Sequence, residues 1–216
     1  MSPGLNLSEE QAGAMAEFLD DLYEANQVTN LTRVPKNDAW LRHIEDSLLF
    51  QDLIPNGASV LDIGSGPGFP AWPLAMARPD LHVTALDSNG KMLGFLREHP
   101  LDNLTIVQCR AEEWGVRNEF DVVTGRALAP LPIQLELSAA ACRLGGAVIP
   151  LRTELDDLKA PKARTLGLKL EDAVRRPLPE TDMVRVFPIY RKIVATPARY
   201  PRRWTEIKAS PLSLGA

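Results

Sequence analysis

Between Pro55 and Leu151, short apolar runs recur at helix-sized intervals. They occupy residues 59–63, 81–86, 104–108, 120–124 and 146–151. Each is too short for a buried helix and too continuously apolar for a strand with one wet face. Strands of this kind belong in a parallel sheet covered by helices on both sides, because parallel crossovers put helices on each face. The pattern predicts a doubly wound α/β fold. Two helices are predicted ahead of it. In the first, Ser8 and Gln11 have the spacing of a capping box, and Met15, Phe18, Leu19, Leu22 and Tyr23 follow at helical spacing. The second is predicted from about Asp38 to Phe50, with Leu41, Ile44, Leu48 and Leu49 facing inward. After Leu168 the rhythm gives way to a charged stretch. Residues 183–195 then read as a last strand, antiparallel because its connection is poor in helix signals. The expected organisation is one domain over 1–216: N-terminal helices in 1–54, an α/β core in 55–195 and a basic tail in 196–216.

A chain of 216 residues, 45% hydrophobic and 24% charged, has ordinary globular composition for one domain. It contains no apolar run of membrane-spanning length, and its start lacks the basic and apolar regions of a signal peptide. Cys109 and Cys142 suggest no disulfide scaffold. The expected location is cytoplasmic and the expected state monomeric. His43, His82 and His99 lack ligand spacing, so no metal is expected. The net charge of −4 hides an asymmetry: from Arg185 to the end, seven basic residues accompany the single acid Glu206. A basic patch of that kind steers a protein toward phosphates, although a solvated surface gives the same count.

The most informative stretch is Asp62-Ile63-Gly64-Ser65-Gly66-Pro67-Gly68-Phe69-Pro70, an apolar strand running into a glycine-rich turn. Glycines permit a tight turn and close approach of a ligand at the sheet edge. Phe69 stands where a dinucleotide fingerprint wants its third glycine, and Pro67 removes an amide that a pyrophosphate would use. Both count against a dehydrogenase and favour a nucleoside without phosphates. The next strand ends at Asp87, about 20 residues on, where a carboxylate binds ribose hydroxyls. A third ends at Arg110-Ala111-Glu112, where a carboxylate can take an adenine amino group. Each acid alone is more often a surface residue or helix cap; a turn and two acids on three successive strand ends are a much rarer accident.

With Asn30-Leu31-Thr32, Arg42-His43-Ile44-Glu45-Asp46-Ser47-Leu48, Leu86-Asp87-Ser88, Lys91, Arg126-Ala127 and Tyr200-Pro201-Arg202-Arg203 added, the chain resembles the glucose-inhibited division protein B family (RsmG). These enzymes methylate N7 of one guanine of 16S ribosomal RNA. The resemblance implies a seven-strand Rossmann-like methyltransferase sheet and S-adenosylmethionine as cofactor. It implies cofactor contacts at Gly64, Ser65, Gly66, Phe69, Ala111, Glu112 and Arg126, with Asp87 on the ribose. Small-subunit rRNA, or a particle containing it, is the implied partner. The chain departs from the family pattern at Ala71, Met92 and Arg152, and its helix after Asp87 is shorter.

Guanine N7 carries an exposed lone pair, so its methylation needs alignment more than a general base. The sequence fits this, since no acid–base pair stands beside the glycine turn. Arg126, just after the fourth strand, is the candidate catalytic residue; a structural ion pair is the alternative. His43, Asp46 and Ser47 lie too close together on one predicted helix for a hydrolase triad. Cys109 and Cys142, the latter in a predicted alanine-rich helix, read as core residues. Arg42, Lys91, Arg126, Arg202 and Arg203 are the candidate RNA contacts, with Tyr200 and Trp204 as stacking surfaces or packing groups. A methyltransferase acting on another RNA, a protein or a small molecule remains an alternative, as does a binding module without catalysis.

Overall fold

The computed structural model describes residues 7–154 and 161–212. Helix α1 (Glu9–Ala25) starts where the capping box predicts: Gln11 donates its amide to the Ser8 hydroxyl at 3.1 Å, and its side chain accepts from the Ser8 amide at 2.9 Å. Met15, Phe18, Leu19 and Leu22 are buried, and the Phe18 ring stacks on Trp72. The second predicted helix is not regular. A 3₁₀ turn (Lys36–Asp38) leads into a π-helical turn (Trp40–Glu45) and one α-turn, α2 (Asp46–Leu48). The predicted inward residues Ile44, Leu48 and Leu49 are buried, but the Asp46 amide reaches back five residues to Leu41. Such π-turns are rare and concentrate at functional sites.

The sheet holds β1 (Ser59–Ile63), β2 (His82–Asp87), β3 (Leu104–Gln108), β4 (Phe120–Arg126), β5 (Cys142–Thr153), β6 (Leu168–Pro177) and β7 (Val184–Lys192). Their order is β3-β2-β1-β4-β5-β7-β6. The first five pair in parallel, while β7 runs antiparallel to both β5 and β6. Helices α3 (Ala71–Ala77), α4 (Gly90–Arg97) and α5 (Leu131–Ala139) follow β1, β2 and β4. Neighbouring residues of one strand enter different cores: Val60 packs with α1, α3 and α4, whereas Leu61 packs with α5. That alternation is the mark of a sheet covered on both faces.

Two readings of the sequence are corrected. The charged stretch after Leu168 is strand β6, at the sheet edge, where Lys169, Glu171, Asp172 and Arg175 are exposed. Charges there cover an edge that would otherwise recruit other strands. Cys142 is not in a helix: it opens β5 opposite Phe120 and is fully buried, with its thiol pushed up to about 12 by desolvation. The chain works outward from β1 to β3, then returns to lay β4 on β1's other side. Ligands bind in α/β sheets at the carboxyl ends of strands flanking such a switch point.

Candidate active site

The turn after β1 is built to bring backbone close to a ligand. Gly64 sits at φ +75°, which side chains rarely adopt, and an added Cβ would come 2.6 Å from the Leu128 side chain. The amides of Gly64 and Ser65 both donate to the Leu86 carbonyl, fastening the turn to β2. The Gly66 amide donates to Asp87 Oδ2 at 2.9 Å, and the Asn89 amide to Asp87 Oδ1 at 2.7 Å. Asp87 is thereby fixed at the β2 end with one face toward a cleft of about 610 Å³. Gly64, Asp87, Ala111, Glu112, Leu128 and Trp204 all line this cleft. The Glu112 side chain is only 6% exposed, yet its Oε1 has no hydrogen-bond partner; Arg110 Nη1 lies 3.8 Å away. A buried acceptor without a donor is costly, and an amino group entering the cleft removes the cost.

Behind the turn, Asp62 is fully buried and accepts the Ala71 amide at 3.1 Å, pinning the start of α3. Its other oxygen has no partner, and desolvation pushes the carboxyl up to about 7. Ser65 and Gly66 shape the turn without lining the cleft. Phe69 also lies off the cleft wall: it is buried, edge-on to Phe18 and stacked on His43, with the Arg126 guanidinium 5.5 Å from its ring centre.

A second cavity, of about 860 Å³, opens over β4, β5 and β7. Arg42, Arg126, Arg152 and Arg185 line it around one buried carboxylate, Asp46. Arg185 grips Asp46 with two bonds, of 2.6 and 3.0 Å. Arg126 donates to the Arg42 carbonyl at 2.7 Å and lies 3.4 Å from Asp46. His43 Nε2 pairs with the Thr32 hydroxyl at 2.9 Å. Burial, then Arg126 and Arg42, push His43 down to about 3, so its ring is neutral near pH 7. Arg152 is buried and donates to the Ala129 carbonyl at 2.9 Å and to Gln134. Its place at the end of β5 thus fixes the segment after β4.

That segment divides the two cavities. Arg126 and Ala127 face the cationic one, Leu128 and Ala129 the first cleft. Ala127 at φ +52° holds a strained backbone between them, as functional loops do.

The structure separates the residues selected from sequence. Gly64, Asp87, Ala111 and Glu112 meet in the first cleft, whereas Arg126 stands with Arg42 in the second. Lys91 is exposed on the first turn of α4, whose start is capped by Asn89. Arg203 is exposed at the start of α6 (Trp204–Ala209). Arg202 is committed elsewhere, gripping the buried Glu136 at 2.7 and 2.8 Å. Part of the basic charge from Arg185 onward is likewise used internally: in β7, Arg191 pairs with Glu171, and Lys192 is buried against Ala139 and Thr196. Sequence reasoning missed Arg185 as a site residue. Its signal was a cation at the start of an apolar strand, opposite a buried acid distant in sequence. Among the described residues no cluster of three or more His, Cys, Asp or Glu could hold a metal, and no helix is long and apolar enough to cross a membrane.

Solved structures with this architecture include an S-adenosylmethionine complex of TYW2 from M. jannaschii. It has a TM-score of 0.57 and 18% identity, over 70% of this chain and 76% of that one. A TehB-like S-adenosylmethionine-dependent methyltransferase from Corynebacterium glutamicum has a TM-score of 0.56 and 15% identity, over 82% and 98%. These likenesses show the fold. In sequence, a ribosomal RNA small subunit methyltransferase G from Lactobacillus johnsonii is 37% identical over 97% of this chain and 95% of its own. One from Lysinibacillus sphaericus is 36% identical over 93% and 90%. The family model of GidB, rRNA small subunit methyltransferase G, matches residues 11–174. With the glycine turn, both strand-end acids and the fold in agreement, the chain belongs to the GidB family of small-subunit rRNA methyltransferases, which use S-adenosylmethionine.

Proposed function

We propose that this protein methylates N7 of a guanine in 16S ribosomal RNA, with the cofactor in the first cleft and the guanine in the cationic cavity. The observation that carries this reading is the division of the site by residues 126–129. A nucleoside cleft and an arginine-lined cavity flank this one segment, so a donor and an acceptor seated in them approach each other in line at its edge.

S-adenosylmethionine supplies an electrophilic methyl group. Asp87, held by the Gly66 and Asn89 amides, has lone pairs left for ribose hydroxyls, and Glu112 offers its unpartnered oxygen to the adenine amino group. Gly64 lets the backbone approach without a side chain intervening. In the second cavity, Arg126 and Arg185 present a cationic face to the guanine O6 and neighbouring phosphates. Arg42 lines the same cavity, the exposed Lys91 and Arg203 are offered to flanking RNA elsewhere on the surface, and Arg202 holds the tail. No group there is poised to take a proton: His43 is a very weak base, and Asp46 is occupied by Arg185 and Arg126. N7 attack requires none, whereas methylation of an exocyclic amine does. We place the reaction in the cytoplasm, on a monomer whose helices, core and tail act as one domain.

The test is methyl-labelled S-adenosylmethionine with small-subunit particles from a strain lacking this activity. Label at one guanine, cleavable by borohydride and aniline, is the expected result. Label at another base or atom sinks the assignment of the substrate.

A further inference from the structure

The C-terminal segment does more than anchor itself. Its chain crosses the outer face of α5 and is fastened at two points. Arg202 places two guanidinium bonds and its own amide on Glu136, whose side chain is fully buried, and a third guanidinium bond on the Ser210 carbonyl at 3.0 Å. Five residues on, Ile207 has no exposed surface and packs on Ile133 and Leu137. Between these anchors stands Trp204, held by the fold on both sides but 37% exposed. Among the described residues its indole is the one aromatic ring lining the first cleft, beside Leu128 and Ala129 and in company with Ala111 and Glu112.

Two features of that cleft point to a planar, amino-bearing ring. Glu112 Oε1 is buried and makes no hydrogen bond, with Arg110 Nη1 standing off at 3.8 Å, so it is open to a donor entering the cleft. The indole adds an open aromatic face, on which any nucleobase stacks favourably. Trp204 belongs to the cleft of Asp87 and Glu112 and not to the arginine cavity, which argues for a cofactor contact over an RNA contact.

We propose that residues 200–209 complete the cofactor site, with Trp204 supplying the aromatic wall of the adenine pocket. The inference rests on the cofactor reading above and adds a residue to it. S-adenosylhomocysteine binding to wild type, Trp204→Ala and Trp204→Phe, measured by calorimetry, tests it. Trp204→Ala should bind about tenfold or more weakly, the scale of losing one stacked base, and Trp204→Phe should recover most of the loss. Ligand should also change the tryptophan fluorescence of wild type, and this change should vanish in Trp204→Phe although Trp40, Trp72 and Trp114 remain. Unchanged ligand affinity in Trp204→Ala, with weakened affinity for ribosomal particles, overturns the inference and assigns the indole to RNA. Failure of the wild type itself to bind S-adenosylhomocysteine removes the cofactor reading beneath it.

Discussion

The two halves of the active site are made in different ways. The cofactor cleft is assembled from consecutive strand ends: a glycine turn after β1, Asp87 after β2 and Glu112 after β3. Its backbone amides and short acids are placed by local chain geometry. The cationic cavity draws on a π-turn, β4, β5 and β7, and brings Arg42 to within reach of Arg126, Asp46 and Arg185. Its order depends on a buried ion network between segments far apart in sequence. The first half should therefore fail by losing ligand, and the second by losing structure or substrate alignment.

Asp46→Ala gives the largest expected effect on stability. It leaves Arg126 and Arg185 facing each other in a partly buried site, costing about 3 kcal/mol, measurable by urea denaturation. If the halves are independent, the folded variant still binds S-adenosylhomocysteine. Asp87→Ala should act the other way, lowering ligand affinity about tenfold or more in calorimetry, the scale of losing charge-assisted hydrogen bonds. The variant also loses the Gly66 and Asn89 amide contacts, at the glycine turn and at the cap of α4.

A smaller effect is written in pH. Asp62 holds its proton more tightly folded than unfolded, so its contribution is full below about pH 4 and is lost as pH rises through 7. His43 has the opposite sign: its contribution is full above about pH 6.5 and is lost as pH falls toward 3. The two offset each other between these limits. Asp62→Asn removes one of them, so its stability should rise relative to wild type from pH 4 to 7, by at most about 1.4 kcal/mol per pH unit. A parallel pair of stability curves would show that Asp62 does not titrate in that window. The smallest change is expected for Arg203→Ala, which should reduce the salt dependence of particle binding by about one charge and leave cofactor affinity unchanged.

The same contrast explains what was legible in the sequence. Strand β1, its glycine turn and both acids were readable because each depends on residues adjacent in the chain. The capping box of α1 was readable for that reason too. The π-turn at Trp40–Glu45 was not, since the apolar spacing of Leu41, Ile44 and Leu48 suits a regular helix as well. Strand β6 was hidden because an edge strand can carry charge on both sides, as Lys169, Glu171, Asp172 and Arg175 do here. Arg202 looked like a free cation until the fold placed Glu136 against it. Arg126 was selected for its place after β4, but only the fold put it across a shared wall from the cofactor cleft.

Arg126→Lys tests that placement most directly, because it keeps the charge beside Asp46 while removing the planar fork. S-adenosylhomocysteine affinity and single-turnover methyl transfer to small-subunit particles are measured on the same preparation. The two-cavity account predicts ligand affinity within about threefold of wild type and transfer slowed about 100-fold, the scale of lost alignment. A parallel loss of ligand affinity and transfer would place Arg126 on the cofactor and contradict the division of the site.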